Sequence, residues 1–460
     1  MNKNKFSLIY DLLCILIPSF LYISFVNIFL LLKITIFNIL IILILLLLNF
    51  YKKSIILKIS KKLKIISLVI LCLSVGKYYF FKSSIYFNFI FFQDILILIL
   101  FIIPRVFLNI KEFKVNYIKD YNISRQGTLV IGGLGYIGSE LVYDLLQTNQ
   151  KVSVLDCGMY GDKVVKKFYS FPNFNFIKGY ASDVILLGKL LKENSKVVHL
   201  AGLVGDPACA LNERDSRYFN IKTTNIIKNL CFEYDIQRLI FASSCSVFGK
   251  TEELCFEDSP TNPVSLYAKT KLDSEMELLE SKIDTKILRF STIFGPSERL
   301  RFDLVVNLFI AQAHYDKNIT VFGGDQKRPF LHVKDAAISI KNFLNYKITN
   351  TQDVFNIGFN ELNYTINEIA KLIEKNVPGS VITLSDVNND NRNYAVSFKK
   401  YKDFFPDIKY FTILDAIEQF SRLFKKSSIN YKENVYSNLL TTEAFINVNK
   451  NELQNLNKFT

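Results

Sequence analysis

The sequence predicts an α/β fold, a parallel sheet with a smaller C-terminal lobe, preceded by an all-α apolar region. Three observations carry this. From Gln126 onward, short apolar strands alternate with amphipathic helices, the pattern of a parallel sheet covered on both faces. The stretch Thr128-Leu129-Val130-Ile131-Gly132-Gly133-Leu134-Gly135-Tyr136-Ile137-Gly138 reads as an apolar strand, a glycine-rich turn and the start of a helix. Before these, residues 6–108 are dominated by apolar runs close to the ~20 residues that a bilayer requires.

The N-terminal runs divide into four helices, at 7–29, 34–50, 65–81 and 87–108, which make residues 1–110 a transmembrane region. Of the formal net charge of +14, residues 1–125 supply +12, with 16 Lys and Arg against 4 Asp and Glu. The remaining 40 basic and 38 acidic residues nearly balance. Lysines flanking apolar runs are a membrane-topology pattern, so nucleic acid is not an expected partner and the lipid bilayer is. The basic segments are 51–64 (Lys52, Lys53, Lys58, Lys61, Lys62 and Lys64) and the 111–125 linker with its flank (Arg105, Lys111, Lys114, Lys119 and Arg125). Facing them to the cytoplasm gives a multi-pass protein of the cell (inner) membrane, with everything after residue 110 inside. No small-residue cleavage site follows the first run, so no cleaved signal peptide is expected.

After the linker, strands are expected at 128–131, 151–155, 174–177, 197–200, 238–242, 285–289 and 353–357, with the first helix at 137–147. Residues 290–350 have a looser pattern and interleave with the smaller lobe. The domain runs over 126–425, and the polar, Asn-rich stretch 426–460 reads as a partly ordered tail.

Gly132, Gly135 and Gly138 recur every third residue. The first allows a tight turn, the second lets backbone approach a pyrophosphate, and the third lets helix pack close to strand. The second strand ends in Asp156, 18 residues after Gly138. A carboxylate there accepts hydrogen bonds from an adenosine ribose and repels a 2′-phosphate, which favours NAD over NADP.

A second constellation follows the strand at 238–242: Ser243-Ser244-Cys245-Ser246-Val247-Phe248-Gly249, then Ser265-Leu266-Tyr267-Ala268-Lys269-Thr270-Lys271 opening a helix after Pro263. Tyr267 and Lys271 share a helix face, where an ammonium is expected to lower the phenol's pKa and fit it for acid/base work. The seven cysteines form no CxxC pair and only three histidines exist, so a metal site is not expected and the cysteines read as reduced thiols.

From about 126 to 425 these motifs resemble an extended short-chain dehydrogenase/reductase of the nucleotide-sugar epimerase/dehydratase group. The resemblance implies a Rossmann-like parallel sheet with a smaller C-terminal substrate-binding lobe. It implies an NAD site made of Gly132, Gly135, Tyr136, Ile137, Gly138, Asp156, Asp183, Leu200, Ala201, Gly202, Asn220, Tyr267 and Lys271. Ser244, Tyr267 and Lys271 fall on the family's catalytic serine, tyrosine and lysine. The segments Leu288-Arg289-Phe290, Gly295-Pro296 and Arg328-Pro329-Phe330-Leu331-His332-Val333 resemble the substrate-lobe motifs. The implied substrate-binding residues are Ser246, Asn307, Arg328 and Arg392, the arginines holding the diphosphate of a nucleoside-diphosphate sugar.

Departures from the family pattern shape the functional expectation. Tyr180 follows Gly179 where many members carry an acid, with Asp183 three residues on. Val204 stands where galactose epimerases have a lysine. The 4,6-dehydratases carry Asp-Glu directly after the catalytic hydroxyl, where this chain has Cys245 and Ser246. The expected function is a membrane-anchored NAD-dependent C4 epimerase of a nucleoside-diphosphate sugar, serving surface polysaccharide synthesis. The alternatives are an NAD(P)H-dependent 4-keto sugar nucleotide reductase, then a 4,6-dehydratase, then a non-catalytic NAD-sensing scaffold. A homodimer is compatible with each.

Overall fold

Thr128–Ile131 is an uninterrupted apolar run capped by glycines, and it forms the buried strand that the sheet is built around. A computed structural model describes residues 125–161, 163–346, 352–385 and 392–449. The four helices expected in 1–110, the linker up to residue 124 and residues 450–460 lie outside the described residues. Among the described residues, no helix is long and apolar enough to cross a membrane.

The strands, in chain order, are β1 (Thr128–Ile131), β2 (Val152–Asp156), β3 (Phe174–Lys178), β4 (Lys196–His199), β5 (Arg238–Ser244), β6 (Lys250–Cys255) and β7 (Thr285–Phe290). There follow β8 (Thr292–Phe294), β9 (Asn318–Phe322), β10 (Lys327–His332), β11 (Asp353–Ile357), β12 (Asn363–Thr365), β13 (Val381–Ser385) and β14 (Asn393–Val396). The longer helices are α1 (Tyr136–Gln147), α2 (Val184–Glu193), α3 (Thr223–Glu233), α4 (Leu266–Leu279) and α5 (Val305–Tyr315). After these come α6 (Val333–Asn345), α7 (Ile366–Asn376), α8 (Ile413–Lys426) and α9 (Asn438–Val448).

Seven strands make one parallel, Rossmann-like sheet in the order β11-β7-β5-β4-β1-β2-β3. They are the seven strands read from the sequence, each placed within two residues. Both faces are covered, so alternate residues of one strand enter different cores: Val130 packs with Leu141, Val142 and Leu145 of α1, whereas Leu129 and Ile131 pack with Leu187 of α2 and Ile227 of α3. Three small sheets, β12-β10-β8, β13-β9 and β14-β6, build the second lobe. Its core residues Phe309 and Phe420 belong to the same apolar cluster as Val130.

Residues 426–449, part of the stretch read as a partly ordered tail, pack against the domain. Tyr431 is buried and its hydroxyl donates to Asp316 Oδ2 at 2.5 Å. The Asn438 amide N–H donates to Asp303 Oδ2 at 3.0 Å, its Nδ2 donates to Val204 O at 3.1 Å, and Thr442 is buried. The segment docks through these polar contacts together with Ile429 and Tyr431, which join the main apolar core, and Tyr436, which packs on Phe302.

One buried ion pair fixes α4 against the sheet. Arg289 of β7 donates through Nε and Nη2 to Glu275 of α4, at 3.1 Å to Oε1 and 2.7 Å to Oε2, and the Ser243 hydroxyl donates to the same carboxylate. Both members are nearly inaccessible. Removing one partner strands a buried charge, so Glu275→Ala should lower unfolding free energy by about 3–5 kcal/mol, read by urea denaturation. The paired Glu275→Leu/Arg289→Met variant should lose less, and equal losses would show that the charge pairing is irrelevant to the clasp.

Candidate active site

The turn after β1 is possible only for glycine at two points. Gly132 has φ +85°, and a Cβ there would lie 2.6 Å from Ala201 N. A Cβ on Gly138 would lie 2.4 Å from Gly132 O, so helix and strand could not close up. Gly135 caps α1, a helix whose first turn carries no side-chain cap and leaves its amide donors to a ligand. A cavity opens here, and its wall includes Gly132, Gly135, Tyr136, Ile137, Gly138, Leu200, Ala201 and Gly202. Asp156 lines it as well, accepting from Leu134 N at 3.0 Å and Gly158 N at 2.8 Å. Burial raises its pKa, and the two amides oppose that.

The end of β5 and the start of α4 bring Ser244, Ser246, Tyr267 and Lys271 to the same cavity. Ser265 starts α4, accepting from Ala268 N at 3.2 Å and donating to Asp206 Oδ1 at 2.5 Å. Lys271 lies one turn after Tyr267, and its Nζ donates to Ala242 O at 2.7 Å. Burial pulls Lys271 down to about 8.

The expected effect of Lys271 on Tyr267 needs correction. The ammonium is 5.9 Å from the phenol ring centroid and committed to the β5 carbonyl. Burial instead pushes Tyr267 well above the usual phenol value, with the Asp206 charge acting the same way. A hydrogen bond with Ser244 and the charge of Arg301 pull in the other direction and do not prevail. Tyr267 is therefore a neutral phenol near pH 7 in this cavity.

Four other expected site residues do not line the cavity. Asp183 caps α2, its Oδ1 accepting from Ile185 N and Leu186 N at 3.0 Å each, while Tyr180, Ala181 and Ser182 line the wall. Asn220 is buried behind the wall, accepting from Leu203 N at 2.8 Å and donating to Thr270 Oγ1 at 2.9 Å. Thus it ties the strand-end loop to α4. Asn307 accepts from Gly295 N at 2.8 Å and donates to Tyr136 Oη at 3.0 Å, bracing the loop after β8. Arg328 donates to the Arg392 carbonyl and stacks 5.4 Å over Tyr394, behind a wall that Arg392 and Tyr394 themselves form. Arg392 lines the cavity and pairs with Asp206 Oδ2 at 2.9 Å.

Comparison with known proteins gives the family. The description "NAD dependent epimerase/dehydratase family" matches residues 128–358. An uncharacterized UDP-glucose epimerase of Bacillus subtilis is 30% identical over 269 residues, 56% of this chain and 83% of that protein. The chain belongs to the NAD-dependent epimerase/dehydratase family. A UDP-glucose 4-epimerase of Lactobacillus helveticus is 28% identical over 258 residues, 50% of this chain and 76% of that protein. In fold it is similar to the UDP-glucuronic acid 4-epimerase of Bacillus cereus, with TM-score 0.59 and 24% identity over 65% of this chain and 99% of the other.

As a member of this family the protein is an NAD-dependent enzyme, and its residues fit NAD. The glycine turn leaves room for backbone contact with a pyrophosphate, and Asp156 stands at the strand end where a ribose acceptor is needed. Sequence reasoning did not find Tyr160, Asp206, Arg299, Arg301 and Asn438 in the wall. The arginines beside Gly295-Pro296 were a usable signal, whereas Asn438 reaches the cavity only because the C-terminal segment folds back.

Asp156→Ala should weaken NAD⁺ binding by roughly tenfold, the loss of a charged hydrogen bond, and should improve NADP⁺ binding. Titration calorimetry reads both. An unchanged preference would mean that Asp156 does not read the ribose.

Proposed function

We propose that this enzyme is a C4 epimerase of a nucleoside-diphosphate sugar. The observation that carries it is the gathering of Ser244, Tyr267 and Lys271 beside the glycine turn, with no carboxyl at the two positions after Ser244. The Cys245 thiol is buried, donates to Arg289 O at 3.2 Å and is pushed up by burial, so it is no acid for a leaving hydroxyl. Ser246 lines the cavity, and its hydroxyl has no partner among the described residues, which suits a sugar hydroxyl. The sequence relatives that carry UDP-glucose epimerase names support the same reading.

In this reading Tyr267 takes the C4 hydroxyl proton as C4 gives up hydride, and returns it when hydride comes back to the opposite face. Bound NAD⁺ supplies the hydride acceptor and a positive ring that favours the phenolate. Ser244 holds the reacting oxygen, Lys271 holds a cofactor ribose hydroxyl, and Arg392 faces the diphosphate. The neutral state of Tyr267 gives one specific reason to keep a second reading, a 4-keto reductase, because a protonated phenol is ready to donate. The charge pattern around residues 1–110 supports anchoring in the inner membrane with the catalytic domain in the cytoplasm, where sugar nucleotides for surface polysaccharide are made.

UDP-sugars incubated with the protein should give C4-inverted product without added reductant, followed by chromatography. A 4-keto-6-deoxy sugar would mean that another residue supplies the acid for elimination. Product formed only with stoichiometric NADH oxidation would favour the reductase. Tyr267→Phe should lower turnover by ~10²–10⁴-fold while NAD binding survives. Turnover within a few-fold of wild type would remove Tyr267 from its role.

A further inference from the structure

Arg299 brings a buried positive charge to the cavity wall with no carboxylate in ion-pair distance among the described residues. It is 6% exposed, and its Nε and Nη2 have no hydrogen-bond partner among the described residues. Its guanidinium stacks 4.1 Å from the ring centroid of Tyr160, which holds the plane of the group but satisfies no N–H. The other cations of the wall are engaged. Asp303 takes Arg301 through both oxygens, at 2.9 and 2.8 Å, Asp206 takes Arg392, and Lys271 is on the Ala242 carbonyl. Burial, the largest influence, lowers Arg299 to about 10, so it stays charged at neutral pH. A buried guanidinium with two idle donors is costly unless a ligand completes it.

The placement of its loop says which ligand. Residues 295–303 are fastened to the first turn of α1. The Tyr136 hydroxyl donates to Gly295 O, Ser297 Oγ donates to Tyr136 O at 2.8 Å, and the Ser139 and Ser297 hydroxyls are 2.9 Å apart. Tyr160, the stacking partner, lies four residues after Asp156 on the loop leaving β2. Arg299 is thus tethered between the helix N-terminus after the glycine turn and the loop following the ribose acid. The Nε and Nη2 atoms form one edge of the guanidinium, the edge that grips two oxygens of an oxyanion side by side.

We propose that Arg299 is the counter-charge for the pyrophosphate of the bound NAD, supplied by the loop between β8 and α5. This rests on the NAD dependence of the family. It makes cofactor retention depend on a loop of the second lobe, fastened to α1 by three serine and tyrosine hydroxyls. Loosening that loop would loosen the cofactor.

The test is calorimetric titration of the full chain, freed of co-purified nucleotide, with NAD⁺, ADP-ribose and UDP. Arg299→Gln should weaken NAD⁺ and ADP-ribose by about tenfold or more, the scale of one charge-assisted contact, and leave UDP affinity unchanged. Arg299→Lys, which keeps charge and bulk, guards against a folding defect and should lose part of the affinity because the fork is gone. NAD⁺ affinity unchanged in both variants would overturn the assignment. So would a loss confined to UDP, which would give the fork to the substrate diphosphate. A wild-type chain that binds neither NAD⁺ nor ADP-ribose would overturn the NAD reading along with it.

Discussion

The buried ion pair of Arg289 and Glu275 is the interaction on which the site geometry depends. Glu275 lies one turn beyond Lys271 on α4, and Arg289 lies on the strand beside β5. Their pairing, joined by the Ser243 hydroxyl, sets the height of α4 along the sheet. That height decides whether Lys271 reaches the Ala242 carbonyl and whether Tyr267 comes level with Ser244. A buried pair adds little net stability over apolar packing, but it tolerates few registers. Specific placement of the acid/base helix is what it contributes here.

Around that clasp the cavity is assembled from groups distant in sequence. Asn220 ties the strand-end loop to α4, Asn307 ties Gly295 to Tyr136, and Asn438 spans Val204 and Asp303. Three asparagines thus set loops that glycine flexibility would leave free. Each satisfies backbone donors or acceptors with one amide, adding polar ties to the apolar packing of Leu203 and Phe302 in the same loops. Only Asn438 also lines the wall.

The electrostatics of the wall follow from burial more than from neighbouring charges. Tyr267 is held neutral and Lys271 is drawn down to about 8, both chiefly because the two groups are buried. A site of this kind favours reaction by charge that arrives with its ligands. Arg392 meets that need from one lobe, already balanced by Asp206, and Arg299 meets it with its donors idle.

The sequence by itself determined the sheet, the glycine turn, the carboxylate that ends β2 and the serine, tyrosine and lysine that reach the same cavity, because each is encoded locally. Short apolar runs bounded by turn residues mark strands buried on both faces, and Gly138 is required by a contact within its own turn. What only the tertiary structure decided is which polar residue faces the cavity and which stands behind it. Asp183, Asn220, Asn307 and Arg328 carry the chemistry of ligand-binding groups, yet they hydrogen-bond within the protein and do not line the cavity. Asn438 has no motif around it, and it reaches the cavity because the C-terminal segment folds back onto the loop after β4, while Arg299, close to Gly295-Pro296, owes its place to a loop fastened to α1. A hydrogen-bonding side chain has the same composition in either place. Its partners can be fixed by segments far along the chain, 234 residues apart for Asn438 and Val204, and no local pattern records that distance.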